Sequence, residues 1–281
     1  MTSKVWFITG SSKGFGRVWA EAALARGDQV AATARDVSTL SELVEKYGDN
    51  VAAIKLDVTD KAAVNAAIAE AHRRFGRLDI VINNAGYGQF GAIEEVSEEE
   101  ARAQIETNLF GALWVTQAAL PLMRAQRSGH IIQISSIGGV NAFPNIGLYH
   151  ASTWGLEGFS QALAQEVAEF GIHVTIVEPA GFATDWAGPS AKVAKPMSEY
   201  QSSRDRMKER RGNVVPGDPQ ASGPAMLALV DAAEPPLRAF FGDVGLPMIQ
   251  QEYAKRLANW EKWDWVADLA QGTAKNRKAA A

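Results

Sequence analysis

The chain of 281 residues contains no cysteine. That excludes a disulfide framework and any thiolate-ligated zinc site, and it fits a reducing, cytoplasmic setting. Histidine is scarce: His72, His130, His150 and His173 are scattered without ligand spacing, so no metal centre is expected. Positive charge is not in excess. Lys and Arg number 28 against 32 Asp and Glu, and a net charge of −4 leaves no footprint for nucleic acid or an anionic membrane. No apolar run is long enough to span a bilayer. Met1-Thr2-Ser3-Lys4 leads straight into an apolar run, so no signal peptide is expected. No internal repeat is visible. What remains is ordinary globular composition, 47% apolar and 21% charged, with ample length for a large core.

The stretch that organises the rest is Val5–Gly16. An apolar run ends in Thr9-Gly10-Ser11-Ser12-Lys13-Gly14-Phe15-Gly16, and a helical pattern follows at once. Strand, glycine-rich turn and helix start are the parts of a phosphate site, because glycine lets the backbone approach a pyrophosphate and free helix N–H groups point at it. Downstream, strands are expected over 4–9, 29–34, 51–56, 78–82, 130–135, 172–177 and 237–241. Helices are expected over 14–26, 38–47, 61–75, 98–126, 149–170 and 220–230, with Asp60 and the Ser97/Glu100 pair as caps. Pro121 is expected to bend or break the long helix, and Pro179 to end the sixth strand. This alternation predicts an α/β Rossmann-type fold over 1–281: a doubly wound parallel sheet of about seven strands with helices on both faces. Ligand is then expected at the carboxyl ends of the strands. Residues 182–213 are polar and lack a period; they read as a substrate lid or as a solvated surface insertion. An amphipathic tail helix is expected over 249–270, with Tyr253, Leu257, Trp260, Trp263 and Trp265 for a core or subunit contact. The last eight residues are expected to fray.

The end of the second strand bears on cofactor type. An NAD site usually places a carboxylate there for the ribose 2′-hydroxyl. Here Ala34 is followed by Arg35 and Asp36. An arginine suits a 2′-phosphate, and Lys13 adds a second positive charge, so NADP(H) is favoured. The alternative is that both cations are surface charges and Asp36 takes the ribose of NAD(H). Asn83-Asn84-Ala85-Gly86 sets two amides at a strand end, either for a site or as turn caps. Ser136 precedes Tyr149 by 13 residues. Such a hydroxyl pair is able to hold a carbonyl oxygen, with Ser136 polarising it and Tyr149 donating a proton as hydride reaches carbon.

Taken together, Thr9-Gly-x-x-x-Gly14-x-Gly16, Asp57, Asn83-Asn84-Ala85-Gly86, Asn108, Ser136, Tyr149 and Pro179-x-Gly181-x-x-Thr184 occur in order at plausible spacing. Over about residues 4–185 the chain resembles the short-chain dehydrogenase/reductase family. The resemblance implies that Gly10, Ser12, Gly14, Phe15 and Gly16 hold the pyrophosphate. It implies that Asp57 and Val58 flank the adenine, and that Asn84 and Ala85, with Gly86 beside them, lie by the ribose. Asn108 then orders water, Ser136 and Tyr149 are catalytic, and Pro179, Gly181 and Thr184 border the nicotinamide. It also implies a homodimer or homotetramer formed through helices 98–126 and 149–170.

Two positions depart from the family pattern. The signature Tyr-x-x-x-Lys reads Tyr149-His150-Ala151-Ser152-Thr153, so threonine stands where the family's lysine binds the nicotinamide ribose and lowers the tyrosine pKa. Ala180 stands where glycine often follows the proline. The expected activity is an NADPH-dependent ketone reductase or the reverse alcohol dehydrogenase. Its substrate would be an apolar carbonyl lined by Phe90, Trp114, Phe143, Leu148 and Trp186, or these residues are simply core. Turnover is expected to be reduced or altered by Thr153. The alternatives are an imine substrate and a catalytically silent NADP(H)-binding protein.

Overall fold

Runs that are apolar on every side chain become strands buried on both faces. Trp6, Phe7 and Ile8 are wholly buried, as are Val30, Ala31 and Ala32. A computed structural model describes residues 3–211 and 215–272. In chain order it holds β1 (Val5–Ile8), α1 (Gly14–Ala25), β2 (Gln29–Ala34), α2 (Ser41–Tyr47), β3 (Val51–Lys55) and α3 (Lys61–Phe75). Next come β4 (Ile80–Asn83), β5 (Gln89–Phe90), α4 (Glu98–Ile105), α5 (Gly111–Gln126), β6 (Gly129–Ile134), α6 (Gly147–Val167) and β7 (Ile172–Pro179). Then follow β8 (Lys192–Val193), α7 (Gln201–Arg211), α8 (Ser222–Asp231), β9 (Arg238–Phe241) and α9 (Gly245–Ala270).

Seven strands form one parallel sheet in the order β3-β2-β1-β4-β6-β7-β9. The winding direction reverses between β1 and β4, which opens a crevice at their carboxyl ends. One apolar cluster covers each face. Phe7, Val81, Ile131 and Met123 lie in the first, and Trp6, Ile8, Trp19 and Met226 in the second. This is the α/β Rossmann-type architecture expected from the alternation of elements.

Several local expectations need correction. The helix expected over 98–126 is interrupted by a π-turn at Glu106–Phe110, centred on Asn108. Pro121 does not break α5, because the carbonyl it leaves unpaired belongs to Gln117, and both residues face solvent. β7 runs through Pro179, whose carbonyl end still pairs with Phe241. The 182–213 segment is not without structure. β8 pairs with β5, and α7 is charged all round, so it carries no apolar period to read. Arg204 of α7 bonds the nearly buried Glu95 carboxylate at 2.6 Å, and Tyr200 donates to Glu94. α9 starts four residues earlier than expected, and beyond Ile249 its side chains are largely exposed, Leu257, Trp260 and Trp263 among them. The final eight residues lie outside the described ones. Among the described residues, no helix is long and apolar enough to cross a membrane.

Candidate active site

The glycine loop joins β1 to α1, and its backbone is fixed from beneath. Thr9 Oγ1 accepts from the amides of Asn84 and Ala85, each at 2.9 Å. Asn84 Nδ2 donates to the carbonyls of Thr9 and Gly10 at 2.9 and 3.1 Å. Ser11 Oγ donates to Ile8 O, and its amide to Thr33 O. Gly16 admits no side chain, because a Cβ there would lie 2.4 Å from Gly10 O and 2.6 Å from Asn84 Nδ2. Gly14 is the opposite case: at φ +57 its Cβ direction is open space. The first turn of α1 holds no acidic side chain, so its free N–H groups face an unobstructed, positive end. A crowded glycine behind and an open one in front fit a pyrophosphate. Phe15 turns away from that surface, stacked on Trp19 and edge-on to Phe182, both at 5.0 Å.

At the end of β2, Arg35 is exposed and makes no ion pair among the described residues. Asp36 is already engaged, since its Oδ1 accepts from the hydroxyl and the amide of Ser38 at 2.7 and 3.0 Å. Those two bonds hold the carboxyl below its usual pKa range. Lys13 pairs with Asp185 at 3.2 Å, tying the glycine loop to the segment after β7. Asp57 accepts from the Thr59 hydroxyl and amide, and Val58 packs against the backbone of Gly111.

The hydroxyl pair comes together at the carboxyl end of β6. Ser136 caps the short turn Ile137–Gly139, and its Oγ accepts from the Gly138 amide at 3.0 Å. Tyr149 is buried in the first turns of α6. Burial pushes its phenol up to about 12, and the Ser136 hydroxyl pulls the other way. No cation contributes. Thr153 lies one turn on, buried, with its Oγ1 within 3.1–3.2 Å of the carbonyls of Gly138, Tyr149 and His150. Asn108 sits in the π-turn. Its Oδ1 accepts from the Tyr87 amide, while its Nδ2 donates to Tyr87 O at 3.0 Å and Ser152 Oγ at 3.2 Å. Gly86 backs onto the same side chain. π-turns recur at functional sites because they re-aim one residue without ending the helix.

Trp186 covers Tyr149, with ring centroids 4.8 Å apart, and Phe90 packs on Trp186 at 5.5 Å. Thr184 caps the turn that presents Trp186. Gly181 has open space on its Cβ side and Pro179 ends β7. Ala180 fits its place, donating its amide to Phe241 O at 2.9 Å. Two further aromatic positions pack on other side chains. Trp114 stacks on Phe110 at 5.8 Å beneath Lys61, against the core, and Phe143 packs on His150.

Sequence reasoning missed two groupings. Gly138 carries bonds from three side chains of α6; the signal was the Gly138-Gly139 pair, where a Cβ on Gly138 would lie 2.8 Å from the His150 ring. The other is a buried carboxyl pair beside the site. Glu178, next to Pro179, lies 3.4 Å from Arg238 Nε, and Glu157 of α6 lies 2.9 Å from the same atom. Neither Glu178 oxygen has a hydrogen-bond partner among the described residues. Burial, with Glu157 adding to it, pushes Glu178 up to about 8.

The chain is similar to known proteins. A family model described as short chain dehydrogenase matches residues 4–194. Oxidoreductase BOA17 of Botryotinia fuckeliana is 42% identical over 266 residues, covering 93% of this chain and 97% of that protein. A 3-ketodihydrosphingosine reductase of Bacteroides thetaiotaomicron is 37% identical over 262 residues, covering 91% and 92%. The crystal structure of a short-chain dehydrogenase from Streptomyces avermitilis is 38% identical, with a TM-score of 0.90 over 96% of this chain and 98% of that one. The chain belongs to the short-chain dehydrogenase family, the NAD(P)-dependent oxidoreductases of CH–OH and C=O groups.

Proposed function

We propose that the protein is an NADP(H)-dependent ketone reductase, or the reverse alcohol dehydrogenase, acting on an apolar or aromatic substrate. The reading rests above all on Ser136 and Tyr149 meeting in a buried site walled by Trp186 and Phe90. Bound at the glycine loop, NADP(H) supplies or accepts the hydride. Ser136 donates a hydrogen bond to the carbonyl oxygen and Tyr149 transfers the proton, in a site closed to bulk water by Trp186. Asn108 fixes the backbone at Tyr87 beside the site, and Gly10, Ser12, Gly14 and Gly16 hold the pyrophosphate. The ketone named in the Bacteroides relative supports the substrate class.

NADP(H) is favoured over NAD(H) because Arg35 is unpaired and Asp36 is held by Ser38. Lys13 serves less as a phosphate ligand than as the tie to Asp185. The segment 182–213 acts as the lid of a single catalytic domain, since it carries Trp186 over Tyr149. Assembly as a dimer or tetramer through helices 98–126 and 149–170 follows from the family reading, with Phe110 and Trp114 half-buried in the first of these stretches. The absence of cysteine suits a cytoplasmic setting.

One observation favours a second substrate, an imine. A phenol pushed up to about 12 is a weak acid, and an iminium already carries its proton. The test is NADPH oxidation by purified protein across a panel of aryl ketones and cyclic imines. Turnover of ketones supports the first reading, and turnover of imines alone the second. Tight NADPH binding with no turnover of either class overturns both and leaves a silent nucleotide-binding protein.

A further inference from the structure

Helix α6 does more than carry Tyr149. Three of its side chains converge on one backbone atom, the carbonyl oxygen of Gly138. His150 Nδ1 lies 2.8 Å from it, Trp154 Nε1 2.9 Å and Thr153 Oγ1 3.2 Å. The tautomer of His150 follows from its other nitrogen. Nε2 accepts from the Phe143 amide at 2.8 Å, so the proton sits on Nδ1 and is donated to Gly138. The imidazole thereby spans both ends of the 138–143 loop. Trp154 is held from its outer side by the Arg256 guanidinium of α9, 5.3 Å above the ring. Thr153 is the weakest of the three, because its single proton is shared with the carbonyls of Tyr149 and His150.

Gly138 is also the residue whose amide donates to Ser136 Oγ. A hydroxyl that accepts from a fixed N–H keeps its own proton for another acceptor, and the Ser136 hydroxyl lies near enough to the Tyr149 phenol to oppose its upward shift. Resting on the reductase reading above, we propose that His150, Thr153 and Trp154 are positioning residues that clamp Gly138, so that α6 sets the place of the Ser136 hydroxyl opposite its own Tyr149. The two groups that hold the substrate oxygen are then built on one rigid unit. A carbonyl under three donors resists rotation of its residue, and that residue's amide aims Ser136. The Thr153 hydroxyl thus has a task of its own here.

The test uses the whole protein with Trp154→Phe, Thr153→Val and the double variant. Thr153→Ser serves as the conservative control. Trp154 is 41% exposed, so its phenylalanine variant, which removes the Nε1–H together with the smaller ring of the indole, gives up little buried packing. Amide hydrogen exchange over 136–143 is expected to quicken about 5–10-fold in each single valine or phenylalanine variant, as the loss of one net hydrogen bond implies. In the double variant kcat is expected to fall ~10–100-fold, the scale of a misaligned catalytic group. NADPH affinity and substrate KM should stay within about twofold, and Thr153→Ser should keep most of the wild-type kcat. Unchanged exchange overturns the clamp. Quickened exchange with unchanged kcat makes the contacts merely structural and overturns the positioning role. Absence of turnover in the wild-type protein itself is the failure of the reductase reading, and it takes the positioning role with it.

Discussion

A Thr153→Lys substitution puts a positive charge one helical turn from the Tyr149 phenol, roughly 5–6 Å away along α6. In the present chain that phenol is pushed up to about 12 by burial, and only the Ser136 hydroxyl opposes the shift. A unit charge at ~5 Å in a medium of effective dielectric ~20 is worth ~3 kcal/mol, or about two pKa units. The phenol then titrates near 10, close to its unperturbed value. A stronger general acid speeds proton donation by a fraction of that gain. With the proton about half transferred in the transition state, turnover is expected to rise ~3–30-fold. The cost is one of three donors to Gly138 and some overpacking of a buried site, about 1–3 kcal/mol of stability. NADPH oxidation with a reducible ketone measures the gain. Thr153→Met, of similar length and no charge, separates charge from volume. A folded Thr153→Lys protein that binds NADPH normally yet turns over no faster than Thr153→Met refutes the electrostatic reasoning.

Arg35→Ala is expected to weaken NADPH binding ~10–100-fold, the worth of charge-assisted bonds to a phosphate, and NADH binding less than about threefold. Fluorescence titration with both nucleotides measures this, and equal weakening would place Arg35 away from the 2′-phosphate. Glu178 titrates near 8 when folded, against an ordinary value of 4.5. Between those values the folded chain keeps a proton that the unfolded chain has released, so stability should decline as pH rises through the window, by on the order of a few kcal/mol. Urea titrations of the wild type and Glu178→Gln should diverge there, with the glutamine variant flatter; parallel curves would mean that Glu178 is not protonated. Trp186→Ala removes the ring over Tyr149, so KM for an aryl ketone should rise ~3–10-fold while a small aliphatic ketone is affected less than about twofold. Equal losses on both would show that Trp186 orders the site without touching substrate.

The sheet was legible because its signal is local. A strand buried on both faces, such as Val30-Ala31-Ala32, is apolar at every position, and a glycine loop after such a strand has few other uses. Caps were legible for the same reason: Asp60 and Ser97 bond amides two or three residues away. Elements fixed by distant contacts were not. β8 is two residues long and exists through its pairing with β5, about a hundred residues earlier in the chain. α7 has no apolar face, and its anchor is Arg204 on a glutamate next to α4. The π-turn at Asn108 leaves no mark in composition, since it differs from an α-turn only in which carbonyl each amide finds.

At the site, the same limit separates residue identity from residue role. Ser136, Tyr149 and Thr153 were all visible as letters, and Thr153 read as a missing charge. Its neighbours give it a second meaning. His150, three residues before it, and Trp154, directly after it, reach the same Gly138 oxygen, a convergence that depends on a loop folding back over α6. A lysine stem at 153 surrenders the hydroxyl contact to that loop, while a threonine surrenders the charge near the phenol. The two demands compete for one position. If the clamp dominates, Thr153→Lys gains less than the electrostatic figure, and what it gains depends on the two remaining donors. Combining Thr153→Lys with Trp154→Phe therefore decides between them. Where the charge alone matters, the double variant keeps the full gain of the single one. Where the clamp matters, it falls below the sum, because His150 is then the last side chain holding Gly138.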